Sequence, residues 1–357
     1  MTVTIADIEA AADEIAEDVI RTPTIAAPGL SREAGCEIFL KLESLQLTGS
    51  FKARGARYRL GAIDPANTNG VIACSAGNHA QGVAYFAERM GISATIVMPR
   101  ETPFAKITRT ERYGARVILE GDSFAAAQTY ALDLAAAENL TFVPPYDDDL
   151  IIAGQGTAGL EMAEDAPDLD VILIPIGGGG LIAGSAVALK ARLPSVEIIG
   201  VEAALYASMQ AALAGREITD AGTTLAEGIA VKTPGTRTLP IVRALVDDIV
   251  TVDEPAIEAA VELMADTGGV IVEGAGAGPL AAMMADPARF AGRRVGLLVS
   301  GGNIDMRLYA SVLLRGLVRG GQMVRLRVQI SDAPGNLAQV SQVIGDAGGN
   351  IVEIVHQ

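Results

Sequence analysis

The 357-residue chain is poor in aromatic side chains, with seven Tyr, seven Phe and no Trp. Its core must therefore be packed from Ala, Val, Ile and Leu. Cysteine and histidine are scarcer still. Cys36 and Cys74 lie far apart and form no CxxC pair, and the only histidines are His79 and His356. That excludes a disulfide framework and a thiolate- or histidine-rich metal site. Long apolar runs are absent too: the stretch 171–176 is far too short to span a bilayer. The N-terminus, Met1-Thr-Val-Thr-Ile-Ala-Asp-Ile-Glu9, carries no basic segment before an apolar run, so no signal peptide is expected, and a reducing cytoplasm fits. Positive charge is in short supply, with 27 Lys and Arg against 43 Asp and Glu. The net charge of −16 argues against nucleic acid or an anionic membrane as a partner.

What the chain does have is glycine, 40 of them, in a sequence that is 50% hydrophobic. This is the profile of an α/β protein with many tight strand-to-helix turns. Ile5, Ile8, Ala12, Ile15 and Val19 fall at helical spacing, so the chain opens with an amphipathic helix. Apolar runs at 71–74, 95–98 and 115–119 alternate with helical patterns, which predicts a compact βαβαβα block from about Gly70 to Pro145. Pro144-Pro145 and Asp147-Asp148-Asp149 mark its end. A second block repeats the rhythm, with strands expected at 171–176, 197–201, 249–252 and 295–299 in a second parallel sheet. After Gly320-Gly321 the composition shifts. Residues 324–330 alternate as a half-exposed strand, 337–344 read as a helix and 351–355 as a further strand. One such βαβ unit is too small to bury a core alone.

Lys52 lies in Thr48-Gly49-Ser50-Phe51-Lys52-Ala53-Arg54-Gly55, after a small-residue turn and before an alanine-rich helix start. Such a setting can desolvate the ammonium and lower its pKa, as a Schiff-base lysine needs. Taken locally, a solvated lysine at a helix N-terminus is the simpler reading. Two distant turns change that. Gly177-Gly178-Gly179-Gly180-Leu181 follows a buried strand and opens a helix, offering free amides and a positive dipole end to a phosphate. It could also be a plain tight turn. Gly178-x-Gly180-x-x-Ala183, with Glu202 ending the next strand, fits the relaxed dinucleotide pattern as well, and an NAD-dependent oxidoreductase is the rival it supports. Ser300-Gly301-Gly302-Asn303 follows another buried strand, so Ser300 either caps a helix or points into the same cleft. Ser75-Ala76-Gly77-Asn78-His79 is the equivalent turn of the first block, suited to a substrate carboxylate, with His79 read as structural rather than as a general base. Three anion-binding turns and a desolvated lysine describe a phosphate-bearing aldehyde and an amino acid, that is, pyridoxal 5′-phosphate and its substrate.

From about Ile5 to Arg319 the chain resembles the tryptophan-synthase-β-like, fold type II pyridoxal-phosphate enzymes, and within them the threonine dehydratase branch. Thr48 to Ala56, Ser75 to Gly82, Gly177 to Leu181, Ala226-Glu-Gly-Ile229 and Ser300 to Asn303 carry the resemblance, all in family order. It implies two doubly wound α/β sheet domains, with a small subdomain at about 70–146 inserted in a catalytic region of residues 1–320. It implies that Lys52 bonds the cofactor aldehyde, Phe51 and Gly228 flank the pyridine ring and Asn78 binds its hydroxyl. By the same resemblance Gly177, Gly178, Gly179, Gly180 and Leu181 hold the phosphate, and Ser300 meets the pyridine nitrogen. The turn of Ser75, Ala76, Gly77 and Asn78 would take the substrate carboxylate. The implied reaction is loss of water and ammonia from L-threonine, with L-serine a weaker substrate, in a homo-oligomer (dimer or tetramer). Another dehydratase of β-hydroxy amino acids or a serine racemase is the alternative. Racemases of this group carry serine at the position of Ala76, and divalent-cation-binding relatives pair the acid at Glu202 with a second acid near Ser208, which is missing here. Efficient racemisation and a Mg²⁺ or Ca²⁺ site are therefore not expected. Residues 321–357 resemble the first half of an ACT regulatory domain, through Asp332 to Ala338 and Gly349 to His356, which motivates a third reading as an amino-acid sensor.

Overall fold

Thr4 and Asp7 close a capping box on the helix Ile5–Ile15, with the Asp7 carboxylate accepting the Thr4 amide at 2.8 Å and Thr4 Oγ1 accepting the Asp7 amide at 3.4 Å. Ile8, Ala11 and Ile15 are buried along one face, as the spacing predicts. The structure is a computed structural model, and it describes residues 3–218 and 222–355. The chain divides into a unit ending at Val312 and a smaller one beginning at Leu313.

The larger unit holds two sheets. Its strands are β1 Thr24–Ala26, β2 Glu37–Leu42, β3 Val71–Cys74, β4 Ala94–Met98, β5 Arg116–Leu119, β6 Thr141–Phe142, β7 Val171–Pro175, β8 Glu197–Ala203, β9 Asp248–Val252 and β10 Arg294–Val299. One sheet runs β1-β2-β10-β7-β8-β9 and is parallel except for β1 against β2. The other runs β5-β4-β3-β6 and is parallel throughout. All of its strands fall between β2 and β7 in sequence. Every residue of β3, β4 and β7 is buried, as expected for strands covered on both faces by helices. The two parallel sheets follow the expected blocks. β1, β2 and β6 are additional to them.

Two features fix the helix Lys52–Gly61. A Cβ on Gly154 would lie 2.7 Å from Gly55 Cα, so the helix Asp149–Asp165 meets it backbone to backbone. The second feature is a buried ionic cluster. Arg54 Nη2 and Nε each reach Glu43 at 2.8 Å, and its Nη1 reaches Glu161 at 2.6 Å. Lys41 Nζ meets Glu161 at 2.6 Å and donates to Thr22 O at 2.7 Å. Burial alone would lower the Arg54 pKa, but Glu43 and Glu161 outweigh it and the net shift is upward. Glu43 is likewise penalised by burial, yet Arg54 holds its carboxyl below the usual range. The acidic run after Pro145 also has structural work. Asp148 caps the helix Asp149–Asp165 through the Leu150 and Ile151 amides, while Asp147 accepts from Thr236 and Arg237. The two thiols are free and buried, Cys36 just before β2 and Cys74 at the end of β3.

The smaller unit departs from expectation. Its helix, Asn336–Asp346, forms, but residues 324–330 and 351–355 are not strands. An isolated alternating segment has unpaired N–H and C=O groups on both edges, and among the described residues no strand pairs with either one. Val324, Leu326 and Val328 stay more than half exposed, and the helix buries none of its residues. His356 lies outside the described residues.

Candidate active site

The loop that carries Lys52 is stitched to the turn after β10. Phe51 N donates to Ser300 O at 3.1 Å, Gly302 N donates to Gly49 O at 2.9 Å, and Asn303 Nδ2 donates to Thr48 O at 2.7 Å. Ser50 and Gly301 form an antiparallel bridge. This places Lys52, the first residue of its helix, beside Ser300 at the carboxyl ends of the large sheet. Its Nζ donates to Pro145 O at 2.7 Å and lies 5.1 Å from the centroid of the Phe51 ring. Burial pushes its pKa down to about 8, against an opposing pull from Glu273. The neutral amine is then far more available near neutral pH than at the ordinary value.

Ser300 does not cap a helix, since the next one begins at Met306. Its Oγ is buried without a hydrogen-bond partner. A buried hydroxyl left unpaired costs free energy, which a polar ligand atom beside it would offset.

The tetraglycine turn leads into the helix Gly180–Arg192, with Gly179 left-handed at φ +96°. Gly178 O accepts from Gly235 N at 3.0 Å and from Thr238 Oγ1 at 2.7 Å, which fixes the turn from behind. The Ala183 amide closes on Gly179 O at 2.9 Å, so the amides before it sit at an open helix start. The Tyr146 ring lies so close over Gly178 that any Cβ there would overlap it. Tyr146 is thus the neighbour of both Pro145, which holds Lys52, and the phosphate-type turn. Leu181 is buried behind the turn.

On the small sheet, β3 ends in Ser75 and Ala76, and Gly77 precedes the helix Asn78–Arg89. Ser75 Oγ accepts the Gly77 amide at 3.2 Å. Asn78 donates to Glu273 Oε1 at 2.7 Å and accepts from Asn303 Nδ2 at 2.8 Å. A Cβ on Gly228 would lie 3.0 Å from Ala275 and 3.3 Å from Glu273 Oε1. Burial raises the Glu273 pKa to about 7, although the Asn78 hydrogen bond opposes the shift. These contacts bring Lys52, Phe51, Ser300, Asn78, Gly228 and the tetraglycine turn next to one another.

Two residues outside the cleft chemistry are explained differently. His79 is buried, its Nε2 2.9 Å from Val143 O, and burial together with Lys52 lowers its pKa to about 3. It stays neutral near pH 7 and is a structural residue. Glu202 accepts the Met209 and Gln210 amides at 2.7 and 2.9 Å, so its carboxylate caps the helix Ser208–Leu213 rather than meeting a ribose. Among the described residues no group of three or more His, Cys, Asp or Glu is placed to hold a metal ion. Sequence reasoning gave no role to Glu273, Tyr146, Asn303 or the Pro145 carbonyl. Of these only Glu273 has a signal beside it that could have marked it, the run Gly274-Ala-Gly-Ala-Gly278, whose backbone must pack closely.

The chain belongs to the pyridoxal-phosphate dependent enzymes, whose family profile matches residues 15–301. Its fold is that of the fold type II branch, and its cofactor is pyridoxal 5′-phosphate. It is 43% identical over 357 residues to the L-threonine ammonia-lyase of Thermotoga maritima, covering 99% of this chain and 89% of that protein. A threonine deaminase crystal structure, from the organism abbreviated T.th., superposes with a TM-score of 0.81 at 40% identity, covering 85% of this chain and 99% of that one. Maize serine racemase superposes with a TM-score of 0.82 at 34% identity, covering 90% of this chain and all of the other. The residues present suit the cofactor: a lysine of lowered pKa for its aldehyde, a serine hydroxyl without a partner and a helix start with unpaired amides for its phosphate. No helix among the described residues is long and apolar enough to cross a membrane.

Proposed function

We propose that this protein is a threonine ammonia-lyase, converting L-threonine to 2-oxobutanoate and ammonia and acting on L-serine more slowly. The observation that carries the reading is the pairing of a desolvated Lys52 with a serine, not a carboxylate, as the orphaned group at Ser300. When bound, pyridoxal phosphate supplies an electron sink conjugated to the substrate Cα. Lys52 Nζ, largely desolvated, is the base that takes the Cα proton. A neutral Ser300 hydroxyl, if it met the ring nitrogen, would not hold a proton there as a carboxylate would, which would favour prompt loss of the β-hydroxyl over transamination. The amides of the Ser75, Ala76, Gly77 and Asn78 turn would hold the substrate carboxylate, and those of Gly177 to Leu181 the phosphate. Phe51 and Gly228 would bound the ring on its faces. The enamine released from threonine is hydrolysed, returning the water that was lost.

The likeness to serine racemase supports a second reading, against which stands Ala76, a side chain with no proton to give on the opposite face of Cα. Assaying 2-oxo acid formation and product chirality on L-threonine, L-serine and 3-hydroxyaspartate separates these. Fastest turnover on threonine is expected, and D-serine as the main product from L-serine would refute it. Lys52→Ala should abolish the visible absorbance of the bound cofactor and reduce turnover by several orders of magnitude.

We also propose a cytoplasmic homo-oligomer, dimer or tetramer, which light scattering on the purified protein tests. In the same reading residues 1–320 are the catalytic region, with 70–146 as its inserted subdomain. Residues 321–357 are part of an ACT-like regulatory module, supported by the turn before Asn336 and the helix that follows it.

A further inference from the structure

Glu273 lies in none of the motifs that define the cleft, yet it ends a chain of hydrogen bonds that begins at a backbone carbonyl. Thr48 O can only accept, so the atom of Asn303 that meets it at 2.7 Å is the amide nitrogen. That same Nδ2 lies 2.8 Å from Asn78, which must present its oxygen. The Asn78 nitrogen then faces Glu273 Oε1 at 2.7 Å. Both ends of the chain impose the same orientation on the Asn78 side chain. Of its two N–H groups one is committed to Glu273, and one is left for a ligand. Glu273 is itself held in place. Its amide donates to Gly301 O at 3.1 Å, and a Cβ at Gly301 would come within 2.6 Å of Oε1. The carboxyl is thus wedged against the turn that carries Ser300.

We propose that Glu273 is a positioning residue that locks the Asn78 amide with an N–H toward the ring oxygen of pyridoxal phosphate, so that the cleft selects the cofactor with that oxygen ionised. The proposal rests on the assignment of Asn78 to that oxygen. Without Glu273 the Asn303 bond alone would hold the amide, and in the fraction that turns over a carbonyl would oppose the phenolate, which is repulsive. The charged groups that act on Glu273 are Lys52 at its helix start, Lys106 on the helix Phe104–Glu111 and Glu227 beside Gly228. Lys106 and Glu227 pair with each other at 2.6 Å.

The test is titration of purified apoprotein with pyridoxal phosphate, followed by the absorption spectrum of the loaded protein across pH. Glu273→Ala should weaken cofactor binding about tenfold, the worth of one oriented bond to a charged oxygen. It should also move absorbance from the visible band of the ionised cofactor to the near-ultraviolet band of the neutral one. Glu273→Gln keeps an acceptor for the Asn78 N–H and should stay near wild type in both readouts. Unchanged binding and spectrum in Glu273→Ala would overturn the proposal. So would equal impairment in Glu273→Gln, which would assign the effect to the charge and not to orientation. If Glu273→Ala does not fold, Glu273→Leu, which keeps the volume and removes the acceptor, takes its place and should give the same spectral change; an unaltered spectrum there overturns the proposal as well. A wild-type protein that takes up no pyridoxal phosphate would instead defeat the cofactor assignment itself.

Discussion

Lys52 reacts as its neutral amine, and its pKa sets when that form is available. With the value near 8, the rate at which the apoprotein captures pyridoxal phosphate should climb as pH rises through about 8 and level off above it. An unperturbed lysine would keep gaining rate to beyond about pH 10. Stopped-flow absorbance over about pH 6.5 to 10 distinguishes the two. The local sequence showed that Lys52 could be desolvated, because Phe51 and small residues surround it. It could not show what the ammonium touches. The Pro145 carbonyl reaches Lys52 only because β6 and the helix Asp149–Asp165 bring it there, and backbone acceptors leave no mark in a sequence. Glu273 was hidden for a related reason: an acid before a glycine-rich helix reads as a surface residue until the turn at Ser300 folds onto it.

Among the elements, the helix Lys52–Gly61 shows how the site is braced. Arg54 points away from the cleft into the ionic cluster. Arg54→Ala should destabilise the protein by about 3–5 kcal/mol in denaturant unfolding, because Glu43 and Glu161 would keep their burial and lose their partner. Gly154→Ala should cost about 1–3 kcal/mol by pushing the same helix off its neighbour. It should also lower activity more than its stability loss explains, since Lys52 moves with the helix. Elements with continuous apolar runs, such as β3, β4 and β7, could be read from the sequence directly. β2 could not, because Lys41 interrupts its apolar pattern and is accommodated by Glu161 from a distant helix and by the Thr22 carbonyl. The alternation at 324–330 was misleading in the opposite sense, since a strand pattern becomes a strand only where another strand accepts its hydrogen bonds.

For the whole molecule, two buried carboxyls pull stability in opposite directions with pH. Burial raises Glu202 to about 7, above its unfolded value of 4.5, so its contribution is full at acid pH and is lost as pH rises through about 7. Glu43 is held below that same unfolded value, so its contribution is full above the carboxylate range and is lost as pH falls beneath it. From these two groups the protein should unfold at its highest temperature near pH 4.5, the unfolded value of both, with a decline on either side whose acid limb Glu43→Gln flattens. Melting curves of both proteins across about pH 3.5 to 8.5 check this. The two buried thiols give the molecule a built-in reporter. Cys36 enters the large sheet and Cys74 ends a strand of the small one, so each sheet carries its own concealed label. A thiol reagent should find neither in the native protein. Under mild denaturant, the order in which Cys36 and Cys74 are modified reads out which sheet opens first, with no residue added or replaced.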